Sequence, residues 1–173
     1  MRIRVLVPLL AAVVAALVAV VTPAAVHEPR PAPVAAALGA PAPSSPALVA
    51  LHRWDAARAR AWASGEPAAL RRLYVPGAAA GRADVALLRR YLARGLVVTG
   101  MSQQVLAVRV TRAGTDRLVL RVTDRLVGAV AVSVSAHQPL PASAPLTRRL
   151  ELRRVGEEWR MATIRAVRPT APP

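Results

Sequence analysis

Apolar positions follow three rhythms along the chain, and each rhythm predicts a different kind of element. From Val5 to Val26 there is no charged residue at all. Such a run is too uniformly apolar for the amphipathic helix of a globular domain. Between Ala47 and Gly95 the spacing is helical. Leu48, Leu51, Trp54, Ala61 and Trp62 recur near one face, with Arg53 and Arg60 elsewhere. Ser45-Pro46 supplies an N-cap and a first helical residue, and Ser64-Gly65 a stop. Glu66-Pro67 opens a short second helix through Leu70 and Leu73 to Tyr74. After Pro76-Gly77 a third helix is predicted over 82–94, with Val85, Leu88 and Leu92 inward and Gly95 closing it.

Beyond Gly95 the period drops to two. Leu106, Val108 and Val110 share one face of a strand, opposite Arg109 and Thr111. Ala113-Gly114-Thr115-Asp116 reads as a hairpin turn. The next strand sets Leu118, Leu120, Val122 and Leu126 against Arg117, Arg121 and Arg125. Gly128 suggests a bend before Val130, Val132 and Val134, and 137–145 reads as a proline-rich loop. Leu150 and Leu152 mark a further strand, Gly156-Glu157 a turn, and Trp159 and Met161 the last strand. Helices followed by a meander of antiparallel strands give an α+β class, three helices packed on one side of a curved sheet.

Charge and composition refine this picture. Arg2 and Arg4 precede the apolar run, as in an export signal whose N-terminus stays in the cytoplasm. The run is long enough to span a bilayer, so residues 1–27 are expected to be a signal peptide or transmembrane anchor. Proline-spaced residues 28–46 form an extended linker, 47–167 the folded domain, and 168–173 a frayed tail. The domain is thus expected outside the cytoplasm, membrane-tethered or secreted. No cysteine is present, which excludes disulfides, thiolate metal sites and a lipid-modified cysteine.

All 24 basic residues are arginine, and lysine, asparagine and phenylalanine are missing. GC-rich coding explains that pattern better than phosphate binding, for which lysine serves as well. Nucleic acid is therefore not the expected partner. Even so, residues 47–173 carry 21 arginines against 8 acids, a net +13. That charge would attract an anionic lipid, a wall polymer or an acidic envelope protein; self-association, if it occurs, is expected through the sheet.

Two stretches carry a resemblance. Trp54-Asp55-Ala56-Ala57-Arg58, Ala63-Ser64-Gly65-Glu66-Pro67 and Leu70-Arg71-Arg72-Leu73-Tyr74 resemble the opening of the nuclear-transport-factor-2-like superfamily, which includes polyketide-cyclase-like and ketosteroid-isomerase-like proteins. Gly156-Glu157-Glu158-Trp159-Arg160-Met161 resembles their last hairpin. The resemblance implies a cone: a strongly bent sheet wrapped on helices, enclosing an apolar cavity. It also implies a catalytic tyrosine at the place of Arg58, a general-base aspartate near Arg82, and a proton-donating aspartate near Arg148 or Arg149. Arginines neither abstract nor donate a proton near neutral pH, so that isomerase chemistry is not expected.

What remains is a set of cavity candidates: Asp124, Arg58, Trp54, Trp62, Tyr74 and Tyr91. Asp124 has inward parity on its strand, so it must be paired, protonated or facing a wet cavity. The expected partner is an arginine such as Arg58. His52 and His137 lack a catalytic partner at motif spacing, the three histidines have no metal-ligand spacing, and no cofactor or metal is expected. A binding or assembly module ranks ahead of a small-molecule enzyme using the cone cavity.

Overall fold

The computed structural model describes residues 45–167; the expected anchor, the linker up to Ser44 and the tail lie outside them. Helix α1 spans Pro46–Ala63, α2 Pro67–Arg72 and α3 Ala79–Leu92. Seven strands follow: β1 Val97–Thr99, β2 Ser102–Ala113, β3 Arg117–Val127, β4 Val130–Val132, β5 His137–Pro139, β6 Leu146–Val155 and β7 Glu158–Ala166. The α+β class is as read from the periodicity.

Local chemistry sets the helix ends. The Ser45 side chain accepts from the Leu48 amide, and Pro46 sits at the first turn where its missing N–H costs nothing. Helix α3 starts three residues earlier than predicted. Gly81 in its first turn reads as a breaker, but there it packs against Tyr74, where a Cβ would lie 2.7 Å from the ring. Close packing, not flexibility, is what this glycine supplies.

In place of one curved sheet there are two antiparallel sheets, ordered β1-β4-β5 and β2-β3-β6-β7. The division falls at a glycine pair. Gly100 and Gly128 both have positive φ, 68° and 70°, and a Cβ on Gly100 would sit 2.4 Å from the Gly128 carbonyl oxygen. Only glycine permits that approach. Thr99 and Val130 are the last pair before it, and Ser102 and Val127 the first after it. One long hairpin is thereby folded from one sheet into the other.

Three short-range readings change with this bend. Strand β1 follows Gly95 so closely that periodicity does not show it. Strand β5 falls where a loop is predicted, since an edge strand tolerates Pro139. In β4 the buried residue is Ala131; Val130 and Val132 are half-buried, and Val134 lies beyond the strand, fully exposed.

The helices cover the inner face of the larger sheet. Leu51, Leu70, Leu88, Leu120, Val122, Leu150, Leu152 and Met161 are essentially sealed from solvent. Each contributes about 1.5–3 kcal/mol on burial. The exit of α2 is pinned to β7 by Met161 N–H donating to Leu73 O (2.9 Å) and Val75 N–H to Met161 O (3.0 Å). On β2, Val108 and Val110 pair with Val122 and Leu120 and so face the inner side, yet they stay exposed. Leu106 is the extra residue of a bulge between Val105 and Ala107, and is also exposed.

Candidate functional site

Five of the six cavity candidates meet in the interior, around a carboxylate that was not among them. Asp84, on α3, accepts from Arg58 twice (Nε to Oδ2, 2.7 Å; Nη2 to Oδ1, 2.6 Å), from Trp62 Nε1 (3.2 Å) and from the Tyr74 hydroxyl (2.7 Å). Trp54 donates its indole N–H to Leu73 O and meets Tyr74 edge-on at 5.5 Å. Tyr91 meets Trp62 likewise at 5.6 Å. Burial opposes the Arg58 charge, but hydrogen bonding to Asp84 and its negative charge outweigh this and hold the guanidinium pKa above its usual value. Burial first, then the Asp84 charge, push the Tyr74 hydroxyl above its ordinary range. Neither group exchanges a proton at neutral pH. The four donors saturate Asp84, so this cluster holds α1, α2 and α3 together and offers nothing to a ligand.

Asp124 is buried, as its parity requires. Its partner, however, is Arg148 of β6, whose Nε donates to Oδ1 at 3.0 Å with Nη2 bonded to Oδ2. Arg58 is not available, because Asp84 holds it. Arg148 pairs in register with Val122, one step diagonally from Asp124 on the same face, and sheet register alone makes the contact.

Beside this pair lies a concavity between α1 and the start of β2, a pocket of about 510 Å³. Its lining includes His52, Asp55 and Arg58 from α1, Met101 and Gln103 near the start of β2, and Leu126. Asp55 forms no ion pair among the described residues. Burial raises its pKa to about 6; Arg148 and Arg58 pull it down and Asp124 pushes it up. A half-buried carboxyl titrating near 6, three residues from an exposed histidine on the same helix, can accept or deliver a proton. No group of acids and histidines able to hold a metal occurs among the described residues.

Of the positions at which the resemblance implies catalytic groups, Arg58 and Arg148 are locked in ion pairs, Arg82 bonds the Gly77 carbonyl, and Arg149 is exposed on the far face of the sheet. His137 is exposed on β5. Two acids escaped the sequence reading. Asp84 had a usable signal, since it interrupts the stripe Gly81, Val85, Leu88 as Asp124 interrupts its strand. Asp55 had none beyond its place one residue after Trp54.

No family model matches the sequence, and no curated protein matches it. Three helices followed by antiparallel strands bent at a glycine pair form the nuclear-transport-factor-2-like fold that the resemblance implies. Among solved structures, the intermembrane space region of the chloroplast protein ARC6 matches 73% of this chain over 97% of its own length, at 12% identity and TM-score 0.51. Aln2 from a Streptomyces species matches 73% over 93%, at 16% identity and TM-score 0.50. A protein of the NTF2-like family from Streptomyces avermitilis matches 72% over 97%, at 14% identity and TM-score 0.46. At such identities the likeness to the first two is one of fold alone.

Proposed function

We propose that this domain of nuclear-transport-factor-2-like fold is a binding or assembly module, carried outside the cytoplasm on an N-terminal anchor or released there. The observation that supports it best is the state of the cone interior. Where an enzyme of this shape would present converging polar groups, Asp84 is saturated by Arg58, Trp62 and Tyr74, and Asp124 by Arg148. Apolar side chains pack the core behind these pairs, and among the described residues Asp55 is the one acid lining the pocket between α1 and β2. With the buried carboxylates already paired, recognition falls to the surface, and that surface is strongly cationic. The address rests on Arg2, Arg4 and the uncharged run from Val5 to Val26; no helix among the described residues is long and apolar enough to cross a membrane.

A second reading has one observation in its favour. Asp55 is a carboxyl with no ion-pair partner among the described residues and a pKa of about 6 in an open pocket, which suits acid–base chemistry on a small molecule.

One experiment separates them. A photo-cross-linking residue is placed at Arg149 on the outer sheet face, or at His52 in the pocket, and the source cells are irradiated. The module reading expects a high-mass adduct from position 149 and none from 52. Adducts confined to a small molecule at position 52 would refute it and favour the enzyme.

A further inference from the structure

We propose that the free edge of β2 is a docking site for an extended segment of another protein, one that alternates apolar and acidic residues and adds to the larger sheet as a further strand. Three observations converge on this edge. First, β2 is the outermost strand of its sheet, paired to β3 alone among the described residues. Between bulges at Leu106 and Thr111 the edge is regular over residues 107–110, and its outward N–H and C=O groups are a template for another strand. Second, the edge is apolar on its inner side. Val108 and Val110 are each 36% exposed there, and Leu106, the extra residue of the neighbouring bulge, is 49% exposed; the three are half of the six large apolar side chains that stand in solvent among the described residues.

The third observation is a row of like charges on the outer side. Arg109 stands directly opposite Arg121, Arg121 opposite Arg149, and Arg149 opposite Arg165. Residues directly opposite share a face, and neighbouring strands lie about 4.8 Å apart. All four arginines are exposed, and none pairs with a carboxylate among the described residues. Like charges facing each other across strands repel. The nearest acid on that face, Glu151, is already held by Arg117 and Arg153, which keep its pKa below the usual range. The row therefore ends at the β2 edge with its charge unanswered.

A strand laid beside β2 sends alternate side chains to the two faces. Those on the inner side would cover Val108 and Val110, and those on the outer side would meet Arg109. Apolar inside and acidic outside is the pattern that satisfies both. An anionic membrane would answer the charge but leave the apolar edge bare. Single-stranded nucleic acid lacks its stacking platform, because the row's face holds none of the described aromatic residues. A second copy of β2 brings Arg109 and Arg112 and no acid to the row. An acidic, apolar-alternating segment is the occupant that the edge fits.

This rests on the binding-module reading, and its test fails separately from that one. The full chain, purified in detergent, is titrated into a labelled synthetic peptide about eight residues long that alternates valine with glutamate, with anisotropy as the readout. Saturable binding is expected, weakened roughly tenfold or more by Arg109→Glu. That variant should instead bind a peptide with lysine at the glutamate positions. Val108→Thr with Val110→Thr, both on exposed positions, should weaken binding without altering the fold. The proposal is overturned if Arg109→Glu leaves affinity for the glutamate peptide unchanged. It is equally overturned if the threonine variant binds as well as the parent. Binding to anionic phospholipid vesicles but not to the peptide would assign the row to lipid, and a dimer dissolved by Arg109→Glu would assign the edge to a second copy. A high-mass adduct at position 149 together with no peptide binding would sink this inference and leave the binding-module reading standing.

Discussion

Replacing Asp84 by asparagine keeps the side chain's shape and removes its charge, which isolates what the interior cluster contributes. The carboxylate accepts four hydrogen bonds, two at each oxygen. An asparagine offers one oxygen: an NH2 at the Oδ1 place faces two N–H donors, and at the Oδ2 place it faces the Arg58 Nε–H and a Tyr74 hydroxyl that can turn to accept. At least one hydrogen bond is lost, and the Arg58 side chain, 18% exposed, is left without a counter-charge. Breaking a buried ion pair on one side costs about 3–5 kcal/mol. That is a large part of the roughly 5–15 kcal/mol by which a domain is stable. For a domain of this size each kcal/mol moves Tm by about 3–5 °C, so Asp84→Asn should melt roughly 10–20 °C lower. Thermal and urea unfolding of the single variant, of Arg58→Met and of the double variant would measure it. The double variant should recover most of the loss, because neither charge is then stranded. A loss below about 1 kcal/mol in Asp84→Asn, or full additivity in the double variant, would refute the view that this pair holds the helices together.

Asp55 carries the pH dependence. With a folded pKa of about 6 against an ordinary value of 3.8, the folded state keeps a proton that the unfolded state has lost between those pH values. Stability from this group is therefore full below about pH 4 and declines as pH rises through 6, by about 2–3 kcal/mol. Asp55→Asn should flatten urea midpoints across that window, while Asp124→Asn should lower the Asp55 pKa followed by NMR, by removing a neighbouring negative charge. Gly100→Ala forces a Cβ to 2.4 Å from the Gly128 carbonyl in a left-handed conformation, and should cost about 2 kcal/mol or more in a melting experiment. Protease added outside intact spheroplasts should release a folded fragment beginning near residue 46; a chain recovered only from the cytosol, untouched, would contradict the expected address.

Much of the fold is legible because its elements are long and have one dry face. Residues 46–63 and 117–127 bury apolar side chains at periods near 3.6 and 2, which is what an amphipathic helix and a half-buried strand must do. The inward parity of Asp124 follows from the same alternation, and so does the need for a cationic partner. Which arginine answers it does not follow. Asp124 meets Arg148 through the register of β3 against β6, and Asp84 claims Arg58 through the packing of α3 on α1, contacts 24 and 26 residues apart in sequence. A sequence pattern gives the direction in which a side chain points, but not the distance to a residue on another element. The strands β1 and β5 were hidden for a related reason: each spans three residues, too few to show a period, and while β4 was read from its valines after the Gly128 bend, its buried side is set by two glycines meeting face to face. The row of Arg109, Arg121, Arg149 and Arg165 is scattered over 57 positions of sequence and becomes one feature only when four strands are laid side by side.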